Sequence, residues 1–297
     1  MKIYTIILTF NEEQHLERCL LSIKKLKSEI FIVDSFSNDK TETIAKKYQA
    51  KFLKRKFVNQ ADQFNWALKQ IPTNADWIFK LDADEIVSPD LIQNIKSNIY
   101  KVDKSTNALM FKRYISFQGK IIKHGGSSPI NIIRFFRFGF GNSEERWMDE
   151  HIKITGNVKR IDGYLIDDNL NPLSWWIDKH NNYSSREVID ILHSKNIFRN
   201  ISNNDNSGKV FGFKRFLKEK IYKNFPLGLR AFIYFIYRYF FRLGFLDGKV
   251  GFTFHFLQGF WYRYLVDAKF REVMRYMKIN DVNEKKAIKK VLGYDVF

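Results

Sequence analysis

The alternation of strand and helix patterns over the first hundred residues is the feature that most restricts the fold. Four short apolar runs have the length of β-strands, and the segments between them repeat apolar residues at helical spacing. The strands are expected at 3–8, 30–33, 51–57 and 77–81, and the helices around 16–23, 40–49 and 62–70. Apolar strands that alternate with helices predict an α/β fold with a mostly parallel sheet covered on both faces.

Polar residues cluster where three of these strands end. The first strand ends in Thr9–Glu12, the second at Asp34, and the fourth in Asp82–Glu85. In open α/β sheets, ligands bind beyond the carboxyl ends of the strands, so the three clusters predict one binding site. Taken singly, Asn11 and Asp39 also suit simple helix N-caps, and that alternative stays open.

The sequence FKLDADEI, residues 79–86, places three carboxylates at the end of an apolar strand. Neighbouring carboxylates repel one another and raise one another's pKa unless water or a cation compensates them. Asp82 and Asp84 alternate along an extended chain, so they face the same side and can share a cation. Carboxylate oxygens without Cys or clustered His favour Mg²⁺ or Mn²⁺, which bind through one or two carboxylates and substrate phosphates. We therefore expect a divalent metal and a diphosphate ligand at this strand end.

Four segments give the chain a family resemblance: TIILTFNEEQHLERCLLSI, IFIVDSFSNDKTETIAKKY, ADQFNWAL and WIFKLDADEIVSPDLI. Together they resemble the family 2 glycosyltransferases, and this resemblance implies a GT-A fold, a Rossmann-like and mostly parallel sheet flanked by helices. A looser likeness continues through HGGSSPINIIRFFR and DEHIKITG to about residue 190. These later segments look like the subgroup that acts in lipopolysaccharide core and surface-polysaccharide synthesis.

The resemblance implies a role for each matching residue at the strand ends. The donor-binding residues would be Thr9, Phe10, Asn11, Glu12, Asp34, Asn38, Asp39, Gln63, Asn65, Asp82 and Ala83. Asp34 would accept a hydrogen bond from the nucleotide base, and Asp84, together with Asp82, would hold the metal. Phe36 stands where the subgroup has a glycine, which leaves the shape of this loop and the choice of donor open.

Transfer of a sugar to a hydroxyl requires a base on the acceptor side. In the segment WMDEH, the resemblance implies Glu150 as this base, and Asp149 is the alternative. A base that faces the sugar opposite the diphosphate would give direct displacement and inversion at the anomeric carbon. The same carboxylates could instead form a solvated strand end or an ion pair. His124, Gly126 and Arg134 would shape the acceptor pocket or bind phosphate, with plain turn and core-edge roles as the alternative.

Positive charge is concentrated near the C-terminus. The chain has a formal net charge of +18, and residues 209–290 hold 19 Lys or Arg against 6 Asp or Glu. The aromatic run 226–265 is interrupted by Arg230, Arg238 and Arg242, so its sequence is not that of an ordinary transmembrane helix. Interleaved cationic and apolar residues instead predict helices that lie on an anionic membrane surface. Packing within the molecule, or a homo-oligomer contact through this C-terminal region, is the alternative.

Two domains are expected on either side of the linker NISNNDNSG, residues 200–208. They are a GT-A catalytic domain at 1–200, with nucleotide-sugar binding in 1–104 and the acceptor side in 105–200, and a C-terminal helical, aromatic-rich, membrane-associating region at 209–297. The single Cys19 and the absence of a signal-peptide pattern indicate the cytoplasm. Together with the basic region, this predicts a protein peripheral to the inner face of the cell membrane.

The sequence thus predicts an inverting, metal-dependent glycosyltransferase that moves a sugar from a nucleotide-sugar to a glycan or lipid-linked acceptor. UDP is the carrier that the family resemblance implies. A nucleotidyltransferase is the alternative enzyme, but it normally has a Gly-rich phosphate loop after the first strand, and no glycine precedes residue 119. A basic membrane-binding or nucleic-acid-binding protein without catalysis is a further alternative. Nucleic acid is not expected as a partner, because three uncompensated carboxylate clusters would repel its phosphates.

Overall fold

The structure is a computed structural model that describes residues 1–144, 151–201, 226 and 228–295. The chain divides into two compact units, Met1–Asn171 and Pro172–Phe297. Each unit has its own cluster of buried apolar side chains.

The first part of the N-terminal unit alternates strands and helices, as the sequence predicts. Its elements are β1 (Ile3–Thr9), α1 (Leu16–Ile23), β2 (Glu29–Asp34), α2 (Thr41–Lys47), β3 (Lys51–Lys54), α3 (Gln60–Gln70), β4 (Trp77–Asp82), β5 (Glu85–Val87) and α4 (Pro89–Asn98). Four strands pair in parallel in the order β3-β2-β1-β4. Thr9 pairs with Asp34, and Leu8 pairs with Asp82, so the polar ends of three strands lie side by side.

The second part of this unit is rich in strands. The strands are β6 (Thr106–Phe117), β7 (Lys120–Ile122), β8 (Ile130–Arg137), β9 (Gly141–Ser143), β10 (Ile152–Ile154) and β11 (Asn157–Asp168). The main sheet has nine described strands; β8 lies antiparallel to β4 and β6, while β11 is parallel to β6 and antiparallel to β5. The sheet is therefore parallel from β3 to β4, as predicted, and mixed beyond β4.

The two central strands of the parallel part, β1 and β4, are buried on both faces, whereas β3 lies at the edge. All seven residues of β1 are buried, which is why its sequence is mostly apolar and does not alternate. Ile7 and Leu81 belong to the core on one face, whereas Ile6 and Ile78 belong to the core on the other. Two apolar layers thus fix the strands, and their polar ends project from a rigid platform.

The C-terminal unit is helical, as predicted. Its helices are α5 (Leu173–Ile201), α6 (Leu229–Ile236), α7 (Gly248–Phe254), α8 (Tyr262–Asn280) and α9 (Glu284–Leu292). A π-helical turn, Tyr237–Phe241, follows α6; a 3₁₀ turn, Gly244–Asp247, precedes α7; and a second π-helical turn, His255–Trp261, joins α7 to α8. None of the described helices is both long and apolar enough to cross a membrane.

The division between the two units lies at residues 171 and 172, whereas the sequence placed the domain boundary at 200–208. Helix α5 contributes Val188, Ile189 and Leu192 to the buried cluster that α8 and α9 complete. The helical segment that the sequence assigned to the catalytic domain therefore belongs by its contacts to the C-terminal unit. Residues 202–208 of the proposed linker lie outside the described part of the chain.

Candidate functional site

Asp34, the last residue of β2, has a buried carboxylate that is held from within the chain. Thr9 Oγ1 donates a hydrogen bond of 2.9 Å to its Oδ2, and the Ser37 amide donates one of 2.8 Å to its Oδ1. The Ser37 hydroxyl also donates to Oδ2. The side chain is fully buried. The Asp34 carboxylate thus organises the turn after β2. Its oxygens have further lone pairs, so they can also accept hydrogen bonds from a ligand.

The loops after β1 and β2 are joined by hydrogen bonds. The backbone N–H of Asn11 donates to Ser37 Oγ at 2.8 Å, and the backbone N–H of Asn38 donates to Asn11 Oδ1 at 3.0 Å. Asn11 has a left-handed backbone with φ of 55°, and α1 begins only at Leu16. The capping alternative for Asn11 is therefore wrong: its side chain holds the neighbouring loop instead of a helix end.

Asp39 lies in the same pair of loops. Its carboxylate accepts hydrogen bonds from the Glu13 amide at 3.0 Å and from the Thr41 amide at 2.9 Å, where α2 begins. Burial opposes its ionisation, but these hydrogen bonds and that of the Thr41 hydroxyl outweigh burial and lower the pKa of Asp39. Asp39 thus fastens the start of α2 to the loop after β1, although the N-cap residue itself is Lys40.

Two phenylalanines stand exposed at these strand ends. Phe10 and Phe36 each keep 59% of their surface accessible. Phe36 has a φ of 64°, in the left-handed region that a side chain disfavours. Glycine adopts this conformation at no steric cost, so the phenylalanine side chain at position 36 is held there at the expense of some backbone strain.

The two polar residues predicted on α3 point to different places. Gln63 is buried and donates to Val33 O at 3.1 Å and to Ser35 Oγ at 2.8 Å, so it supports the end of β2. The side-chain amide of Asn65 instead pairs with the backbone of Ser143 in β9: Asn65 Nδ2 donates to Ser143 O at 3.0 Å, and Asn65 Oδ1 accepts from Ser143 N at 2.9 Å. Gln63 therefore lies with the strand-end residues, and Asn65 fastens the small β9–β10 ribbon.

The acidic end of β4 contains its own counter-charge. Arg134 of β8 donates to Asp82 Oδ2 at 2.6 Å and to Glu85 Oε1 at 3.2 Å. Arg113 of β6 lies 3.7 Å from the same oxygen of Glu85. Glu85 is buried, and its Oε2 accepts the Asp82 amide at 3.0 Å. Two arginines thus compensate two of the three carboxylates, a role that the sequence did not reveal.

These charges shift the pKa values of the cluster. Burial opposes ionisation of Asp82, but Arg134, Lys80 and Arg113 outweigh it and lower the pKa of Asp82 to about 2. For Glu85, burial and the adjacent Asp82 together raise the pKa despite Arg134. Burial would lower the pKa of Arg134, but Asp82 and Glu85 raise it further, so the guanidinium stays charged.

Asp82 and Asp84 supply carboxylate oxygens of the kind that a divalent cation requires, but Ala83 and Asp84 form a turn between β4 and β5 and not the extended strand that the sequence predicts. Asp82 Oδ1 is buried and has no hydrogen-bond partner among the described residues, while Oδ2 is held by Arg134. Asp84 Oδ2 accepts a hydrogen bond of 3.0 Å from Asn169. In the described part of the chain, no three His, Cys, Asp or Glu side chains gather to hold a metal unaided. Two carboxylates completed by substrate phosphates are a normal set for Mg²⁺ or Mn²⁺.

The segment after β11 connects the two sides of this site. Asp168 accepts a hydrogen bond of 2.7 Å from Arg18, and the Leu170 amide donates to His15 Nε2 at 2.9 Å. Because Nε2 accepts, His15 carries its proton on Nδ1, which lies 2.7 Å from Glu12 Oε2. Sequence reasoning missed this segment. The polar run at 167–169 ends a strand just as the three recognised clusters do, so the same rule would have found it.

The remaining predicted residues are placed as follows. Ala83 is buried between the two aspartates, and Asn38 is exposed. His124 and Gly126 lie in the turn between β7 and β8, where Gly126 has a φ of 77°. The proposed bases Asp149 and Glu150 lie outside the described residues.

The sequence matches a family model across the strand-end site. The model of glycosyl transferase family 2 matches residues 4–158, slightly more than half of the chain. An uncharacterized glycosyltransferase of Rickettsia typhi is 26% identical over 92% of this chain and 87% of its own length. Another, from Rickettsia bellii, is 35% identical over 41% of this chain and 38% of its own length.

A solved structure gives a more distant comparison. Glucosyl-3-phosphoglycerate synthase of Mycobacterium tuberculosis, in complex with Mn²⁺, UDP and glucosyl-3-phosphoglycerate, is 19% identical over 39% of this chain, with a TM-score of 0.33. The chain spans less than half the length of that protein, 44%. The family match covers β1 to the start of β11 and all three strand ends. The chain belongs to glycosyl transferase family 2 and has the α/β architecture of the GT-A fold that its sequence predicts.

Proposed function

We propose that this glycosyltransferase inverts the anomeric carbon as it moves a sugar from a UDP-sugar to a hydroxyl of a lipid-linked or surface-glycan acceptor, as in lipopolysaccharide synthesis. The observation that carries the proposal is the buried Asp82 Oδ1 beside Asp84 at the carboxyl end of β4, which has no hydrogen-bond partner within the described part of the chain. A protein that buries a hydrogen-bond acceptor atom without a partner loses folding stability unless a ligand contacts that atom.

The donor would bind across the three strand ends. The uracil would lie near Asp34 and between the exposed rings of Phe10 and Phe36, since flat aromatic side chains stack on bases. Thr9, Asn11, Glu12, Asn38, Asp39 and Gln63 would shape this pocket, directly or through the hydrogen bonds described above. The diphosphate would then extend toward Asp82 and Asp84, because Leu8 of β1 pairs directly with Asp82 of β4.

Mg²⁺ or Mn²⁺ would be held by Asp84 and Asp82, and would neutralise the charge that develops on the leaving diphosphate. Arg134 and Glu85 would fix the orientation of Asp82 so that Oδ1 remains directed away from the ion pair. Asn169 would hold Asp84 in the same manner.

The acceptor hydroxyl would lose its proton to Glu150, with Asp149 as the alternative base. Support for either comes from the sequence resemblance alone. The acceptor would be lipid-linked, because the C-terminal unit combines 19 cationic residues in 209–290 with many exposed aromatic side chains, a combination suited to the anionic inner face of a membrane.

The proposal is tested with a panel of nucleotide-sugars and Mn²⁺, in which binding is measured by calorimetry and turnover by release of nucleoside diphosphate. We expect UDP-sugars to bind and to be hydrolysed slowly, and Asp84→Asn to abolish the metal-dependent part of both signals. Asp90→Asn, an exposed change on α4, is the matched control. A nucleotidyltransferase would instead release inorganic diphosphate from a nucleoside triphosphate and a sugar 1-phosphate, and this pair of substrates is assayed in parallel. Full metal-dependent turnover by Asp84→Asn would reject the proposed site.

Glu150→Gln tests the base separately. The variant should bind UDP and Mn²⁺ as the native protein does, while transfer to an acceptor falls by about 10²–10⁴-fold. Native transfer rates in this variant, together with a loss in Asp149→Asn, would move the role to Asp149.

A further inference from the structure

The C-terminal unit has a short apolar segment that projects into solvent. We call residues Phe240–Leu246 the elbow; the segment runs from the last two residues of the first π-helical turn into the 3₁₀ turn that precedes α7. Five of its seven residues are large and apolar, and their side chains are between 42% and 76% exposed: Phe240, Phe241, Leu243, Phe245 and Leu246. A chain of this size has ample core to bury such residues, so a contiguous exposed set of them marks an interaction surface.

Packing and hydrogen bonds fix the conformation of the elbow. Gly244 is buried so closely that an added Cβ would lie 2.7 Å from His255 Cδ2. Beneath it, the buried Arg238 donates to Gln258 Oε1 and, at 3.2 Å, to His255 Nδ1. The backbone at Leu243 is left-handed, with φ of 60°. Buried polar contacts thus hold the elbow in a shape that turns its apolar side chains outward.

The exposed charges within and next to the elbow are positive. Residues 226–265 contain a single acidic residue, Asp247, and it is buried. Arg242 and Lys249, within and just after the elbow, are exposed. A second copy of the same face would bring like charges together, whereas an anionic surface would complement them.

We propose that the elbow is a rigid wedge that enters the boundary between headgroups and acyl chains of an anionic bilayer. Phe241 and Leu246, the most exposed of the five, lead the insertion, while Arg242 and Lys249 remain at the level of the lipid phosphates. This inference rests on the membrane association proposed above and assigns it to a segment of seven residues.

Flotation with lipid vesicles tests the wedge in the full-length protein. Vesicles that contain phosphatidylglycerol should bind the native protein, and vesicles of pure phosphatidylcholine should bind it much less. The double variant Phe241→Ser/Leu246→Ser should bind anionic vesicles about tenfold more weakly. The matched control is Ile279→Ser, which removes an equally exposed apolar side chain, 67% accessible, from the last turns of α8. Both variants should keep the native unfolding midpoint, because the altered side chains are exposed.

A depth measurement provides the second readout. Cys19 is buried, so a Phe241→Cys variant can be labelled at one site with an environment-sensitive fluorophore. Its emission should shift to the blue on anionic vesicles and be quenched by lipids brominated near the headgroup, whereas a label at Ile279→Cys should not respond.

The outcomes separate the two proposals. Native flotation together with unimpaired flotation of the double variant would reject the wedge and leave membrane association intact. No flotation of the native protein would reject membrane association, and the wedge with it, without affecting the glycosyltransferase assignment. A change of oligomeric state in the double variant, with vesicle binding unchanged, would show that a second copy covers the elbow.

Discussion

Each unit of the molecule buries an arginine beside its proposed functional feature: Arg134 beside the acidic end of β4, and Arg238 beneath the elbow. The two arginines differ in their partners and in the direction of their pKa shifts. The Arg134 side chain is 11% exposed and pairs with Asp82 and Glu85, which raise its pKa although burial lowers it. Arg238 is 1% exposed and bonds to Gln258 and His255, and burial lowers its pKa.

The difference shows what each buried charge is for. Arg134 belongs to an ionic cluster in which it keeps Asp82 ionised and oriented, as the proposed site for a cation and phosphates would require. Arg238 instead lies over the rings of Tyr234 and Phe254, where it supplies hydrogen bonds and packing beneath the elbow. An ionic cluster is sensitive to the loss of one charge, whereas a network of neutral partners is sensitive mainly to unfilled hydrogen bonds.

The largest effect is expected for Arg134→Met. Removing the guanidinium leaves two buried carboxylates without their principal counter-charge, so the free energy of unfolding at pH 7 should fall by about 3–5 kcal/mol. Urea denaturation followed by circular dichroism measures this loss, and Arg134→Lys, which keeps the charge, should recover part of it. A loss below about 1 kcal/mol would mean that Arg113 alone compensates the cluster.

The same variant should show an altered pH dependence. The pKa of Asp82 is about 2 in the folded protein, below its usual value of 3.8, so its ionisation stabilises the fold above pH 4, and this contribution is lost as pH falls from 4 toward 2. The free energy of unfolding of the native protein should fall by about 2 kcal/mol over this interval, and that of Arg134→Met should fall much less. The gap between the unfolding free energies of the two proteins, measured by urea denaturation at pH 7, 5 and 3.5, should therefore narrow as pH falls, because protonation removes the buried negative charges that Arg134 compensates. A constant gap would contradict the assigned cause of the shift.

A smaller effect is expected for Arg238→Met. The methionine fills much of the same space among aromatic rings, so the main loss is that of the hydrogen bonds to Gln258 and His255, about 1–2 kcal/mol. This loss should not depend on pH between 5 and 3.5. If Arg238→Met proved more destabilising than Arg134→Met, the contrast between the two arginines would be wrong.

The smallest effect is expected at two exposed residues with left-handed backbones, one in each unit. Phe36→Gly and Leu243→Gly relieve steric strain but add freedom to the unfolded chain, so each should change the unfolding free energy by less than about 1 kcal/mol. Their functional effects should be separate. Calorimetry should show weaker UDP binding only for Phe36→Gly, and flotation should show weaker vesicle binding only for Leu243→Gly.

The sequence predicted the parts of the molecule that depend on local patterns. Apolar periodicity located β1, β2, β4 and the helices between them, because each element is set by residues adjacent in the chain. The carboxyl-end rule then brought Asp34 and Asp82 to one edge of the sheet, where the strand pairing places them. The motif resemblance identified the family for the same reason, since its residues are contiguous.

What the sequence could not predict depends on contacts between distant segments. Arg134 reaches Asp82 because β8 lies antiparallel to β4, with Phe135 opposite Phe79, and no local pattern fixes that register. Asn169 reaches Asp84 because β11 pairs with β5. The conformation of Asn11 was also missed, since N-cap chemistry and a left-handed loop residue favour the same amino acid.

The internal pairing of Arg134 with the acidic strand end has a consequence for how the protein is handled. Because most of the repulsion at this edge is already cancelled within the polypeptide, the chain should remain folded after dialysis against EDTA, with an unchanged melting temperature. A divalent ion bound at the proposed site would then be required for catalysis and not for folding.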